Sequence, residues 1–165
     1  MSILDKEPVK RVGKFLKDFD MRLSVILLKS SARTALEAAS SLDCEVGAIV
    51  KSLLFRTENT FTLCLVAGDK KASLNKIKKI LNIKDASMAS ANEVKDITGF
   101  TIGGVSPIGH LKKVDILIDK SLERFDALYA AAGHPNCIFK INYVNLQKMT
   151  LGKIQEITEW NNPSY

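Results

Sequence analysis

The sequence predicts an α+β fold with a mixed, mostly antiparallel central sheet flanked by short helices. Three observations carry that expectation. Two strand-like apolar runs, "IVKSLLF" and "FTLCLVA", are separated by the polar "RTENT", as in a hairpin. A second pair of strand-like runs surrounds the turn "GHPN". Short capped helical segments stand between the strands without a regular strand–helix alternation, unlike a parallel βαβ sheet.

Taken in order, the first element is a helix from Pro8 to about Asp20, with Val9, Val12, Leu16 and Phe19 on one face. "RLSVILL" reads as a strand. Thr34 and Glu37 stand at capping-box spacing before "ALEAASSL". The hairpin follows, then a short basic helix, "SLNKIKKIL". Ser90 and Glu93 form a second capping box before "ANEVKDI". In "KVDILID", Val114, Ile116 and Ile118 alternate with Asp115 and Asp119, as in a half-buried strand. "RFDALYAAAGHPNCIFKI" reads as two strands turning at Gly133–Asn136. "VNLQKMT" is a last short helix, with Asn142 or Asn145 near its start, and "KIQEIT" a closing strand.

The chain has 165 residues, 46% hydrophobic and 25% charged. That balance is globular, and residues 1–165 read as a single domain with no repeat or linker. A chain of this length buries roughly two thirds of its unfolded surface, so its core needs no crosslinks. Cys44, Cys64 and Cys137 are odd in number and widely spaced. They read as reduced thiols of a cytoplasmic protein, with no metal spacing. No signal-peptide core and no membrane-length apolar run is present. The net charge of +6 favours a polyanionic partner. Lys70, Lys71, Lys76, Lys78, Lys79 and Lys84 crowd one stretch with only Asp69 against them. Such a run suits a solvated helix face or a phosphate-contacting surface.

Three places attract chemical interest. Lys51 alternates with Leu53 and Phe55 on the more apolar face of its strand. Periodicity alone leaves two readings open, a lysine reaching out to water and a cation at a pocket rim. The run "GGVSPIGH" places Gly103, Gly104, Pro107, Gly109 and His110 in one loop. Its glycines allow close approach to the backbone, and Pro107 stiffens it. An ordinary connection has the same composition. His110 and His134 are the only histidines, and each follows a glycine in a turn. No Walker loop, dinucleotide fingerprint or G-x-S-x-G is present. Catalysis here would rest on backbone donors and orientation.

Together, "SARTALEAASSL", "IVKSLLF", "GFTIGGVSPIGH", "AAGHPNCIFKI" and "VNLQKMTLGKIQEI" resemble the YbaK/prolyl-tRNA-synthetase-associated editing domain family, from about Ser30 to Thr158. The resemblance implies a free-standing deacylase. It would hydrolyse the ester joining a wrong small amino acid (alanine, serine, threonine, 2-aminobutyrate or cysteine) to the acceptor end of tRNA(Pro). Prolyl-tRNA synthetase is a candidate second partner, and no metal or cofactor is implied. Lys51 matches the family's strand lysine, expected to hold the terminal adenosine's phosphate. Gly103 and Pro107 match the ends of its GxxxP motif. Backbone groups of Gly103 and Gly104 would border the scissile carbonyl. His134 would contact the aminoacyl group, and His110 would support the loop beside the substrate. A non-catalytic tRNA-binding module and a tRNA-independent hydrolase of small acyl esters are the competing expectations.

Overall fold

The computed structural model describes residues 2–161. The chain order is α1 (Glu7–Phe19), β1 (Ile26–Leu27), α2 (Ala35–Leu42), β2 (Ile49–Thr57), β3 (Thr60–Ala67), β4 (Lys70–Ala72), α3 (Leu74–Leu81) and β5 (Ala86–Met88). Then come α4 (Ala91–Thr98), β6 (Asp115–Asp119), β7 (Leu128–His134), β8 (Cys137–Ile141), α5 (Tyr143–Thr150), β9 (Lys153–Gln155) and β10 (Thr158–Trp160).

The fold class is as the sequence predicts. The main sheet runs β1-β8-β7-β2-β3-β6-β9, with β5 also on β2. The β1–β8, β7–β8, β2–β3 and β2–β5 pairs are antiparallel. The β2–β7, β3–β6 and β6–β9 pairs are parallel. A separate antiparallel ribbon joins β4 to β10.

Alternation along β2 and β3 sends side chains to two cores. Val50, Leu54, Leu63 and Leu65 join α1's Val9, Val12 and Leu16 in the larger one. Phe55, Cys64 and Val66 face Ile77 of α3 in the smaller one. Lys51 lies opposite Val66, and Leu53 opposite Cys64, so Lys51 does share the α3 face of the sheet. The basic helix therefore sits on the same side as the strand lysine.

Local chemistry explains most boundaries. Ser90 and Glu93 form a reciprocal capping box at α4, and Gly99 ends that helix at φ +79°. Asn142, not Asn145, caps α5. At α2 the box is only half made. Thr34 accepts from the Glu37 N–H, and no reciprocal bond from Glu37 joins it.

Other boundaries depart from expectation. "RLSVILL" yields only the two-residue β1, an exposed edge paired to β8, because Asp20 and Arg22 form a turn before it. The hairpin turn shortens to Glu58-Asn59, with Glu58 at φ +63°. "KIQEIT" is two strands, not one. The buried Asp119 carboxylate accepts from the Ile157 N–H at 2.9 Å and pins a corner between β9 and β10. Phe19, at the end of α1, is 37% exposed despite lying in the apolar stripe. The three-residue edges β4 and β5 carry no sequence period of their own.

Candidate active site

The main sheet is split along β2. β7 pairs with it only at Ile49 and Val50, and β5 only from Phe55 to Thr57. Between them, Lys51 to Leu54 have β3 on one edge and no strand on the other. The Leu54 carbonyl accepts from the Ala89 N–H at 3.0 Å across that open edge. Peptide groups alternate between edges, so the Ser52 N–H and C=O face the same opening.

A cavity of about 430 Å³ occupies the opening. All three buried clusters contribute to its wall, through Leu54 and Cys137, Leu53, and Ala38 with Ile49. Lys51, Gly103 and His134 line it as well. The structure thus brings three of the expected residues to one cavity from three separate segments.

Lys51 donates to the Lys70 carbonyl at 2.5 Å. An ammonium has three donors, so two remain for a ligand. Burial pushes the Lys51 pKa down, and the nearby Asp69 carboxylate opposes that shift. Asp69 itself is held by Arg124 through bonds of 2.9 and 2.8 Å.

The start of the Gly103–His110 loop lies beside the Gly133-His134 turn. Gly133 donates to the Gly104 carbonyl at 3.0 Å, and Gly104 donates to the Thr101 carbonyl at 3.0 Å. A Cβ on Gly104 would meet the His134 nitrogen at 2.9 Å. Gly104 is thus spent on docking one turn against the other, and its backbone groups are committed. Gly103 differs. Its φ is +96°, and its N–H and C=O have no hydrogen-bond partner among the described residues. Its peptide is the one that borders the cavity.

Pro107 is buried, and neither it nor His110 lines the cavity. The His110 Nε2 bonds the Ser106 carbonyl at 2.7 Å, with its ring edge-on to Phe100. Burial lowers its pKa, which keeps the imidazole neutral near pH 7. Both residues stiffen the loop from behind.

His134 reaches the cavity. Its Nδ1 accepts from the Asn136 N–H at 3.0 Å. The neutral ring therefore carries its proton on Nε2, which has no partner among the described residues. Burial lowers its pKa first, helped by the Lys6 and Arg33 charges.

Sequence reasoning did not single out two further residues. Arg33 is exposed at the rim, has no ion pair among the described residues and packs its stem near Gly103. The "SART" run that opens α2 was its signal. Ser52 also lines the cavity, and its Oγ is buried without a partner. Nothing in an alternating strand marks that serine. Among the described residues, no three His, Cys, Asp or Glu gather as a metal-binding group.

Such a cavity is basic at its rim and mostly apolar within. No serine hydroxyl or cysteine thiol is bonded to a histidine ring among the described residues. That arrangement offers a ligand a lysine ammonium and backbone donors and no side-chain nucleophile paired with a histidine. The chain belongs to the aminoacyl-tRNA editing domain family, whose model matches residues 29–149. It is 31% identical to the uncharacterized protein YwhH of Bacillus subtilis, over 88% of this chain and 93% of that one. It is 28% identical to the proline-tRNA ligase of Caldicellulosiruptor bescii over 77% of this chain, which spans only 22% of the ligase. Among solved structures, a proposed trans-editing enzyme for prolyl tRNA synthetase superposes with TM-score 0.88 at 34% identity. That match covers 93% of this chain and 98% of the other. No helix of the described residues is long and apolar enough to cross a membrane.

Proposed function

We propose that this protein is a trans-acting aminoacyl-tRNA deacylase that removes a small non-cognate amino acid from tRNA(Pro). The observation that carries this reading is the convergence of Lys51, the unpartnered Gly103 peptide and the His134 Nε2–H on one cavity. The family match and the similarity to part of a proline-tRNA ligase support the choice of substrate class.

In this reading the Lys51 ammonium takes the phosphate of the terminal adenosine, which fixes the ribose and its ester over the opening. Water attacks the ester carbonyl, and a tetrahedral oxyanion forms. The Gly103 N–H, which has no partner among the described residues, would stabilise it. The intermediate collapses by breaking the bond to the ribose oxygen, which takes up the proton lost by the attacking water, releasing the amino acid and a free 3′-hydroxyl. His134 donates Nε2–H to a polar atom of the aminoacyl group. Pro107 and His110 hold the loop that presents Gly103.

The physical need for such a cavity is plain. A synthetic site discriminates one methylene by only about 1–3 kcal/mol, so a second site must reject what the first lets through. In this reading Ala38, Leu54 and Cys137 form the wall against which side-chain size is read.

The test is a deacylation panel. It uses tRNA(Pro) charged with alanine, serine, threonine, 2-aminobutyrate or cysteine, with prolyl-tRNA as control, for the wild-type and Lys51→Ala proteins. The reading expects release of at least one small amino acid, spared prolyl-tRNA and a Lys51→Ala loss of a hundredfold or more. Binding without release would favour a tRNA-binding module. Equal turnover of free amino-acid esters would favour a simple esterase.

A further inference from the structure

We propose that Trp160, flanked by Lys70 and Arg124, is a stacking platform for the single-stranded nucleotides preceding the terminal adenosine of the tRNA. The proposal rests on the deacylase reading for its choice of nucleic acid. Trp160 lies outside the cavity and beyond residues 29–149 of the family match, while Lys70 and Arg124 lie within that match but outside the cavity.

Trp160 is the only tryptophan of the chain and is 60% exposed. A large exposed indole at the end of a short strand adds nothing to the core, and such rings are enriched where a ligand covers them. Two cations stand against it. The Lys70 Nζ lies 4.3 Å from the ring centroid and the Arg124 guanidinium 5.1 Å. Arg124 is fixed there by its paired bonds to Asp69 and its stack on Phe125 at 4.8 Å. An aromatic face among cations is the arrangement that holds single-stranded nucleic acid, by stacking on bases and attraction to phosphates.

Position ties the platform to the site. Trp160 pairs with Lys70 across the β10–β4 ribbon. The carbonyl of that same Lys70 holds the Lys51 ammonium. One residue therefore links the cation expected at the terminal phosphate to the indole. Partners across such a ribbon lie only about 4.5–5.5 Å apart at Cα. In the proposal, a strand leaving Lys51 on this side continues to the indole.

A hollow of about 470 Å³ beside the ribbon presents Lys70, Lys76, Lys120 and Arg124. Its acids are Asp119, Glu123 and Glu156. Asp119 is already engaged by Ser121 and the Ile157 N–H. The Thr158 Oγ1 in the wall is buried and has no partner among the described residues. The ribbon is held rigid by the Asp119 corner, so the indole is presented on a fixed element.

A sole tryptophan makes the test direct. The protein is titrated with the unacylated trinucleotide CCA and, separately, with adenosine 5′-monophosphate, following indole emission. Fluorescein-labelled CCA anisotropy then compares wild type, Trp160→Ala, Trp160→Phe and Lys70→Ala, each checked by circular dichroism. The platform expects CCA to quench the indole, and AMP to bind without quenching. It also expects Trp160→Ala to weaken CCA binding about tenfold, with most of the loss restored in Trp160→Phe. Unchanged emission at saturating CCA, equal CCA affinity in Trp160→Ala, or no CCA binding overturns it. None of these readouts involves hydrolysis. Quenching without deacylation removes the enzymatic reading alone, and deacylation without quenching removes the platform alone.

Discussion

Gly133 donates its backbone N–H to the carbonyl of Gly104, and this 3.0 Å bond joins two turns that lie about thirty residues apart in the chain. It sets His134, on one turn, beside the free Gly103 peptide on the other. A Cβ at Gly104 would fall 2.9 Å from the His134 nitrogen and 3.0 Å from the Gly133 carbonyl carbon. Backbone cannot yield as a flexible side chain does.

The two adjacent glycines should therefore respond differently to alanine. Gly104→Ala forces the turns apart, at about 1–3 kcal/mol of stability. Hydrolysis of mischarged tRNA should fall at least tenfold, with displaced His134 amide and ring resonances. Gly103→Ala has room, its nearest neighbours being 3.7 Å away, but φ +96° strains an L-residue by about 1–3 kcal/mol. Its effect should be on rate, with the His134 signals unmoved. Urea melts, single-turnover deacylation and NMR separate the two.

Lys51 should trade stability against function. Burial lowers its pKa, so the charged form is disfavoured where it sits. Lys51→Met keeps the stem and removes that penalty. The melting temperature should hold or rise, while deacylation falls a hundredfold or more. A variant that loses both together would mean that the lysine is structural.

The same lysine shows how far the sequence was legible. Alternation in "IVKSLLF" placed Lys51 on the wrong face for a surface lysine, and the register opposite Val66 bears this out. Strong local signals, such as the Ser90–Glu93 box and the β2–β3 hairpin, became elements as read. What was not legible depends on long-range register. The opening along β2 exists because β7 leaves after Val50 and β5 arrives only at Phe55. No local pattern encodes two strands that fail to meet. Gly103 and Gly104 are likewise indistinguishable as letters, and only the Gly133 contact separates a free peptide from a packed one.

His134 should give the proposed reaction an acid limb. Its pKa lies below the ordinary 6.5, chiefly through burial, so the neutral ring is the form present at pH 7. Its Nδ1 accepts from the Asn136 N–H, a bond that protonation breaks. The sign follows. Any stability tied to the neutral ring is full above about pH 6.5 and is lost as pH falls through the lowered folded value. The ratio of wild-type to His134→Gln deacylation rates should be flat above pH 6.5 and decline below it. A ratio independent of pH down to 5 would remove His134 from the site.

Thiol reactivity offers a check on burial. The Cys64 thiol is fully enclosed and its pKa is pushed up to about 12. Cys137 is raised by burial in the cavity wall, and Cys44 by partial burial and by Asp43 and Glu45. With a maleimide at pH 7.5, Cys44 should label first and Cys64 only on unfolding. Mass spectrometry of the peptides reads the order. Prompt labelling of Cys64 would contradict the packing between β3 and α3.

Arg11 should govern the loop from outside the cavity. Its Nε donates to the Gly109 carbonyl at 2.6 Å, its Nη2 reaches the Thr98 carbonyl at 3.3 Å, and its guanidinium lies 4.8 Å over Phe100. α1 is thereby fastened to the end of α4 and to the run from Gly103 to His110. Arg11→Met keeps much of the stem but leaves two carbonyls without a charged donor. The expected loss is about 1.5–3 kcal/mol, larger than for a surface ion pair. Glu7→Gln tests that pair by itself, since it removes the exposed carboxylate facing Arg11. It should cost about 0–1 kcal/mol. Arg11→Lys should not rescue, because one ammonium cannot reproduce the planar fork. Hydrogen exchange adds the decisive reading. In Arg11→Met the amides of residues 103–110 should lose protection while β2 and β3 keep theirs, and deacylation should slow in step with the loop. Uniform loss of protection would make Arg11 an ordinary stabiliser of the whole fold.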